Sequence, residues 1–333
     1  MVTSVLAVAP LRISFVGGGT DIANFYSSNE GAVVSCAIRK YVFVHVKIHD
    51  GSFGERYRIS YSQVEHVREI AHIRNDIVRS CLEFLDVKDP VQISTLSDLP
   101  TGTGMGSSSS FTTALLLALH KLKGEHPTKH QLAEEACHVE ITMLKHPIGK
   151  QDQYAAAFGG LNLFRFRSDG RVSVEPISIS EKQLEELLQR CRLFWTGVER
   201  SASKILEDQS HRIDANLNRL VTMASLAHEF KKSLEKREQN WGELANLISK
   251  SFSLKKELSP LILTAKIQEL INSLEFGAET SVKVLGAGGG GFILHFDGNQ
   301  ERLISTIPET LRSTTSFLPK IDYDGARIIS IFE

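Results

Sequence analysis

A fold of mixed strands and helices, in two closely packed halves, is predicted for this chain on three observations. Its 333 residues, 42% of them hydrophobic, suffice for two domains or one large one. The first 180 residues open on apolar strand segments punctuated by glycine turns. Beyond them, long, charged, amphipathic helices take over, and strands return only near residue 282. That change of texture sets a boundary near residue 185.

The elements follow in order. Residues 5–8, 13–16, 32–37, the alternating 41–48 and 57–60 read as strands, being rich in β-branched and aromatic residues. Residues 64–85 carry a helical period, and 91–95 form a strand leading into a glycine-rich loop. Two helices are predicted at 111–123 and 129–144, the second with Thr128 as its N-cap. A Gly159-Gly160 turn joins 154–158 to a strand at 161–166, and 172–176 is a further strand. In the second half, 181–190, 202–237 and 241–252 are amphipathic helices, with 260–274 following. Strands at 282–285 and 292–296, a helix near 301–311 and a last strand at 326–332 complete the chain.

Composition excludes several classes of function. The formal net charge is −1, so no basic excess invites nucleic acid or an anionic membrane. Cys36, Cys81, Cys137 and Cys191 are widely spaced without a C-x-x-C pair, which predicts reduced thiols, not a disulfide frame or zinc site. The apolar start lacks a basic n-region and runs into a glycine motif, so it reads as a strand. The longest apolar run, 114–119, is too short to span a bilayer. A soluble cytoplasmic protein is expected. His120, His126, His130, His138 and His146 fall in one region without the spacing of a zinc site.

Chemistry concentrates in three glycine motifs. In Asp98-Leu99-Pro100-Thr101-Gly102-Thr103-Gly104-Met105-Gly106-Ser107-Ser108-Ser109-Ser110, alternate glycines let backbone N–H groups curl around an anion. The serines then open a helix whose first amides lack internal partners and whose dipole favours negative charge. On its own, such a stretch reads equally as a serine-capped loop. No G-x-x-x-x-G-K-[ST] string occurs, so a lysine reaching the terminal phosphates is missing, as are H-R-D and D-F-G. The first motif, Ala9-Pro10-Leu11-Arg12-Ile13-Ser14-Phe15-Val16-Gly17-Gly18-Gly19-Thr20-Asp21, sets an arginine in a strand before a glycine turn. The third, Gly286-Ala287-Gly288-Gly289-Gly290-Gly291, matches G-x-G-x-x-G formally, but a strand follows it where a dinucleotide site needs a helix.

Together, from residue 9 to about 292, these motifs resemble the GHMP small-molecule kinases, the family of galactokinase, homoserine kinase, mevalonate kinase and phosphomevalonate kinase. The segment from Gly149-Lys150-Gln151-Asp152-Gln153-Tyr154 to Gly159-Gly160-Leu161-Asn162 is similar to the D-glycero-D-manno-heptose 7-phosphate kinases. Leu11-Arg12-Ile13-Ser14-Phe15 and Trp195-Thr196-Gly197-Val198-Glu199-Arg200-Ser201 share that similarity, and fucokinase-type enzymes are near relatives. The resemblance implies a two-domain α+β architecture. Its N-terminal domain, 1–185, is like the second domain of ribosomal protein S5; its C-terminal domain, 186–333, is ferredoxin-like with added helices.

The implied reaction is ATP-dependent transfer to the anomeric hydroxyl of a sugar phosphate, giving a 1,7-bisphosphate. Gly102, Gly104, Met105, Gly106, Ser107, Ser108 and Ser109 would hold ATP, and Ser108 with Glu140 would hold Mg2+. On a helix Glu140 would face inward with Ala136 and Leu144, where a buried carboxylate needs a partner, but by its residues alone it reads more readily as a solvated helix glutamate like Glu134 or Glu135. Asp152 matches the family's catalytic aspartate and Arg12 the cation beside it; Asp152 could instead cap a turn, or orient the hydroxyl more than deprotonate it. Asp21 and Thr20 match acceptor-binding positions, with Gly18 and Gly19 allowing close approach, although an aspartate steadying the glycine turn reads as well.

For a substrate phosphate, Lys150, Arg200, Arg39 and Lys283 are candidates by neighbourhood, against the usual fate of lone basic residues on a solvated surface. Gly289 belongs to a turn that is either the floor of the site or purely structural. The expected partner is thus a sugar or sugar phosphate, without nucleic acid or membrane, and a homodimer is left open. Two other readings stay open: a kinase of an unphosphorylated sugar such as L-fucose or galactose, and a catalytically idle sugar sensor on the same fold.

Overall fold

A computed structural model describes residues 2–199, 202–274, 279–299 and 315–333. Strand β1 (Ser4–Val16) pairs antiparallel with β2 (Gly31–Ile48) along most of its length, and the one-turn helix α1 (Ala23–Tyr26) lies between them in the chain. Two strands predicted at 5–8 and 13–16 are therefore one. Pro10 has no N–H for the ladder, and the register shifts between Pro10 and Leu11 instead of breaking.

β3 (Tyr57–Ser60) and β4 (Val64–Val67) form a hairpin, followed by α2 (Asp76–Phe84) and by β5 (Val91–Ser97). This corrects the helix predicted over 64–85. Val64 and Val67 mimic a helical period, but the buried Glu65 carboxylate draws in the Arg74 N–H at 2.6 Å and the Asn75 N–H at 3.0 Å. Helix starts only when the Asn75 side chain caps the Val78 N–H at 3.0 Å.

Next come α3 (Ser107–Leu122), α4 (Lys129–Cys137), α5 (Gln151–Phe158), β6 (Leu161–Phe166) and β7 (Val172–Pro176). β6 pairs with the Gly31–Cys36 end of β2 and β5 with its Val42–Ile48 end, so the long strand serves two partners along one edge. Thr128 caps α4 as expected, accepting from the Gln131 N–H at 3.1 Å. The helix does not run on to 144: it widens into a π-type turn over His138–Met143, a geometry favoured at functional sites.

The second sheet gathers β8 (Cys191–Trp195), β9 (Thr280–Val284), β10 (Phe292–Asp297) and β11 (Ser316–Phe317) in the order β11-β8-β10-β9. Around it lie α6 (Glu181–Gln189), α7 (Ser203–His211), α8 (Ile213–Leu234), α9 (Trp241–Lys256) and α10 (Ala265–Leu274). The helix predicted over 202–237 breaks at Arg212. Buried Gln209 and Ile213 keep an i, i+4 spacing across the break, so periodicity does not register it. β12 (Arg327–Phe332) returns to the first sheet, pairing antiparallel with β1. The helix expected near 301–311 lies outside the described residues. α9 packs on strands of both sheets and on α8, which lies on the first sheet, so one core joins both halves.

The end of α3 is tied to α4 through buried His120, whose ring nitrogens meet Glu125 and Glu135, each at 2.6 Å. Burial alone would lower this histidine's pKa, but Glu135 and Glu125 more than reverse it, raising it above 6.5. The stabilisation is therefore fully present below pH 6.5 and is lost as pH rises through the raised value. Thermal denaturation of His120→Gln between pH 6 and pH 9 checks this. The wild-type advantage in Tm, a few degrees at pH 6 at about 2–4 °C per kcal/mol, should narrow toward pH 9.

Candidate active site

The three glycine motifs interlock. A Cβ on Gly286 would lie 2.6 Å from the Gly104 Cα, and one on Gly104 would lie 2.6 Å from the Leu285 carbonyl oxygen. Both positions therefore need glycine, since the two backbones touch. The Phe292 N–H also donates to the Thr103 carbonyl at 3.0 Å. On the other side, the Arg12 N–H, just past the β1 bulge, donates to the Met105 carbonyl at 3.0 Å, and the Ser110 hydroxyl donates to the Pro10 carbonyl at 2.7 Å. Held from both sides, the loop enters α3 through Gly106 in the left-handed region, with φ 82°. The first amides of α3 then open toward a cleft of about 970 Å³.

Arg12 is buried and carries most of the site's geometry. Its Nε and Nη2 each donate at 2.7 Å to the two carboxylate oxygens of Asp152, while Nη1 donates to the Gly104 carbonyl at 2.7 Å. One guanidinium thus fixes the carboxylate against the phosphate loop in a bidentate fork. Asp21 also lines the cleft, its Oδ1 accepting from the Gly19 N–H at 3.0 Å and its Oδ2 from the Gln151 N–H at 3.2 Å. Burial first, then the Asp152 charge, push the Asp21 carboxyl above its ordinary 3.8.

Glu140 is fully buried, unlike a solvated helix glutamate, on the inward face that it shares with Ala136 four residues earlier. The Ser108 hydroxyl donates to its Oε1 at 2.6 Å and the Gln153 amide to its Oε2 at 2.7 Å. This pair and the unpartnered Ser107 hydroxyl beside it fit Mg2+ and phosphate oxygens, since magnesium takes few protein oxygens and keeps the rest for phosphate and water. Burial raises the Glu140 carboxyl above 4.5, against hydrogen bonds from Ser108, Gln153 and Ser109 that favour its charge. The ionised form therefore costs stability as pH rises through the raised value. Glu140→Gln removes that cost, with the unpartnered Gln153 Oε1 able to accept from the new amide after a flip. At pH 7.5 the variant should be at least as stable as wild type without ligand. It should nonetheless bind Mg2+ at least about tenfold more weakly, as thermal shifts with and without Mg-ATP would show.

Residues 72–160 match the model of the GHMP kinases N terminal domain. The chain is 30% identical over 299 residues to the D-glycero-alpha-D-manno-heptose 7-phosphate kinase of Campylobacter jejuni, covering 86% of this chain and 87% of that one. It belongs to the GHMP kinases. A bifunctional fucokinase/GDP-fucose pyrophosphorylase of Arabidopsis thaliana is 26% identical over 86% of this chain, though over only 29% of its own length. Among solved structures, a D-glycero-D-manno-heptose 1-phosphate kinase from Bacteroides thetaiotaomicron shares the fold, with a TM-score of 0.81 at 22% identity over 99% of this chain and all of that one. A Lactococcus lactis galactokinase complexed with galactose does so with a TM-score of 0.72 at 13% identity, over 97% of this chain and 95% of that one. The mixed helices and sheets are the two-domain α+β fold of that family, and the chain is an ATP-dependent phosphotransferase acting on an alcohol group.

In this GHMP kinase the cleft brings together Arg12, Gly19, Asp21, Gly102, Gly104, Gly106, Ser107, Ser108, Ser109, Glu140 and Asp152. Met105 is buried in the core and meets the site only through its backbone. Several other candidates lie elsewhere. The Thr20 hydroxyl donates to the Gly17 carbonyl at 2.9 Å and accepts from the Ala32 N–H at 3.0 Å, closing the turn instead of facing an acceptor. Lys150 donates to the Gly170 carbonyl at 2.8 Å and sits 3.4 Å from Glu134, turned away from the cleft. Gly289 donates its N–H to the Ile262 carbonyl at 2.7 Å, tying its turn to the segment between α9 and α10. Arg39 reaches the Ile321 carbonyl at 3.0 Å, while buried Lys283 donates to the Ser14 and Phe15 carbonyls, both at 2.8 Å. Gly18 is not itself in the cleft lining but abuts Lys255 and Gln151, which are, and Arg200 falls outside the described residues.

Gln151, Gln209 and Lys255 are among the cleft residues that escaped the sequence reading. Two of them carried a signal. Lys255 falls on the buried face of α9 with Leu244, Ile248 and Ser251, and Gln209 follows Ile205 by four residues on α7. A polar side chain on an apolar helix face needs a partner inside the protein.

Proposed function

We propose that this GHMP kinase phosphorylates the anomeric hydroxyl of D-glycero-D-manno-heptose 7-phosphate, giving the 1,7-bisphosphate. Its class is a sugar kinase of the family; the particular sugar is our reading. The observation that carries it is the 30% identity to a D-glycero-alpha-D-manno-heptose 7-phosphate kinase, which runs through nearly all of both chains. The fold neighbour that acts on a heptose 1-phosphate is more distant in sequence and speaks for the fold alone.

In the proposed reaction, the sugar lies against Gly19 and Asp21, with the hydroxyl oxygen facing Asp152. Ser107, Ser108 and Ser109 hold the ATP phosphates at the start of α3, where amides and helix dipole favour negative charge. Glu140 and Ser108 would hold Mg2+, which neutralises phosphate charge. Asp152, fixed by Arg12, accepts the hydrogen bond and then the proton of the attacking hydroxyl. The new bond joins that oxygen to the γ-phosphorus, the bond to the bridging β–γ oxygen breaks, and ADP leaves. Phosphoryl transfer rests mainly on positioning and charge neutralisation, so orienting the hydroxyl contributes more than proton abstraction. We assign the kinase to the cytoplasm, supported by four free, buried cysteines; among the described residues no helix is long and apolar enough to cross a membrane.

Coupled ADP release with Mg-ATP over heptose 7-phosphate, mannose 6-phosphate, mannose, fucose and galactose tests the substrate. Turnover best with heptose 7-phosphate is expected. Preference for the free sugars would replace the reading with a fucokinase-like one.

A further inference from the structure

The phosphate loop contains no lysine, yet phosphoryl transfer needs cationic charge near the migrating group. Among the described residues, the arginine and lysine side chains lining the cleft are Arg12 and Lys255. Arg12 is engaged by Asp152 and the Gly104 carbonyl. Lys255 comes from the last turn of α9, more than a hundred residues from the loop in sequence, and is buried to 6% exposure.

Its ammonium donates to the Gly286 carbonyl, in the residue that abuts Gly104 of the phosphate loop. It also flanks the first glycine turn: a Cβ on Gly18 would lie 3.7 Å from Lys255 Nζ and 3.8 Å from Gln151 Nε2. Gln151 precedes Asp152, and its buried Oε1 lines the same cleft without a hydrogen-bond partner. Lys255 therefore stands where all three glycine motifs meet, on the acceptor side of the loop. Lys283 behind it agrees: burial, then the charges of Lys255 and Arg12, lower its pKa well below 10.5.

We infer that Lys255 is a phosphoryl-binding residue of this kinase, holding an anionic phosphate oxygen at the junction of donor and acceptor. Two sources share that chemistry, the γ-phosphoryl of ATP and the phosphate already on the acceptor. The inference deepens the proposed function and rests on it only for the second source. A compact ammonium on a flexible stem suits either, since it can swing from the Gly286 carbonyl to a phosphate oxygen with a short displacement.

The test uses the full chain as Lys255→Met and Lys255→Arg, with Mg-ATP as donor. Heptose 7-phosphate, its dephosphorylated sugar and water serve as acceptors. Loss of one charge-assisted hydrogen bond predicts a fall of about 10- to 100-fold in kcat/KM for Lys255→Met, with Lys255→Arg recovering most of it. If the loss lies in kcat and extends to the slow hydrolysis by water, the γ-phosphoryl is the group held. If it lies in the KM for heptose 7-phosphate and spares the dephosphorylated sugar, the acceptor phosphate is. Values within threefold of wild type for every acceptor would overturn the inference. So would an arginine variant as impaired as the methionine one, because Lys255 would then only support the Gly286 turn. Should Lys255→Met fail to fold, Lys255→Gln is read in its place at matched Tm. The water arm needs no sugar, so it holds even if wild type leaves heptose 7-phosphate untouched, an outcome that sinks only the substrate reading.

Discussion

Asp152→Asn is expected to lower kcat by about 10²–10⁴-fold while Mg-ATP still stabilises the fold. The carboxylate is the acidic group clamped by Arg12 against the phosphate loop, and its side chain stays 23% exposed to the cleft. Asparagine keeps the shape but cannot take a proton, and its amide presents N–H groups to a guanidinium that can only donate. In the proposed site, nucleotide is held by the loop, the start of α3 and Glu140, so thermal shift by Mg-ATP should persist. Steady-state kinetics beside that thermal shift checks both halves. A fall in kcat of less than tenfold would remove Asp152 from the chemistry, whatever its place in the cleft.

Arg12→Met should be nearly as damaging, and for two reasons at once. It leaves the Asp152 carboxylate and the Gly104 carbonyl without their shared donor in a largely buried place. Removing one partner of a buried ion pair costs about 3–5 kcal/mol, and the partial exposure of Asp152 argues for the lower end. It also frees the carboxylate to rotate, with an expected loss of about 10²-fold or more in kcat. Arg12→Lys separates charge from geometry, because lysine restores the cation without the planar fork. Recovery of less than tenfold is expected from it. Full recovery would mean that charge alone suffices and that the bidentate positioning of Asp152 is incidental. In the double variant with Asp152→Asn, the two losses should fall well short of adding, since each residue acts through the other.

How much of this was legible in the sequence depends on what each residue's neighbours are. The glycine motifs were readable because alternate glycines before a run of serines constrain the local backbone directly, and the structure indeed sets them around one cleft. Arg12 and Asp152 are 140 residues apart, and only the family pattern joined them in advance; their fork is a tertiary fact. Glu140 follows buried Ala136 by four residues, so its inward place was legible in the helical period, whereas its partners Ser108 and Gln153 are tertiary facts. Thr20 is a motif residue whose hydroxyl is consumed by the Gly17 and Ala32 backbone. Lys150 lies two residues from Asp152 in sequence, but residues i and i+2 at the start of a helix point different ways, and Glu134 holds it outside. Lys255 lies in no glycine motif, and only the apolar face of α9 on which it sits could have flagged it.

The central claim is a transfer to the anomeric oxygen of a sugar that already carries a phosphate. The most direct measurement is the phosphorus and proton NMR spectrum of the product formed by the full chain from Mg-ATP and D-glycero-D-manno-heptose 7-phosphate. The account predicts a second phosphate resonance coupled to the anomeric proton, with one ADP released per product. A new phosphate on any other carbon, or heptose 7-phosphate recovered unchanged with ATP intact from a preparation that phosphorylates a free sugar at the expense of ATP, would contradict it.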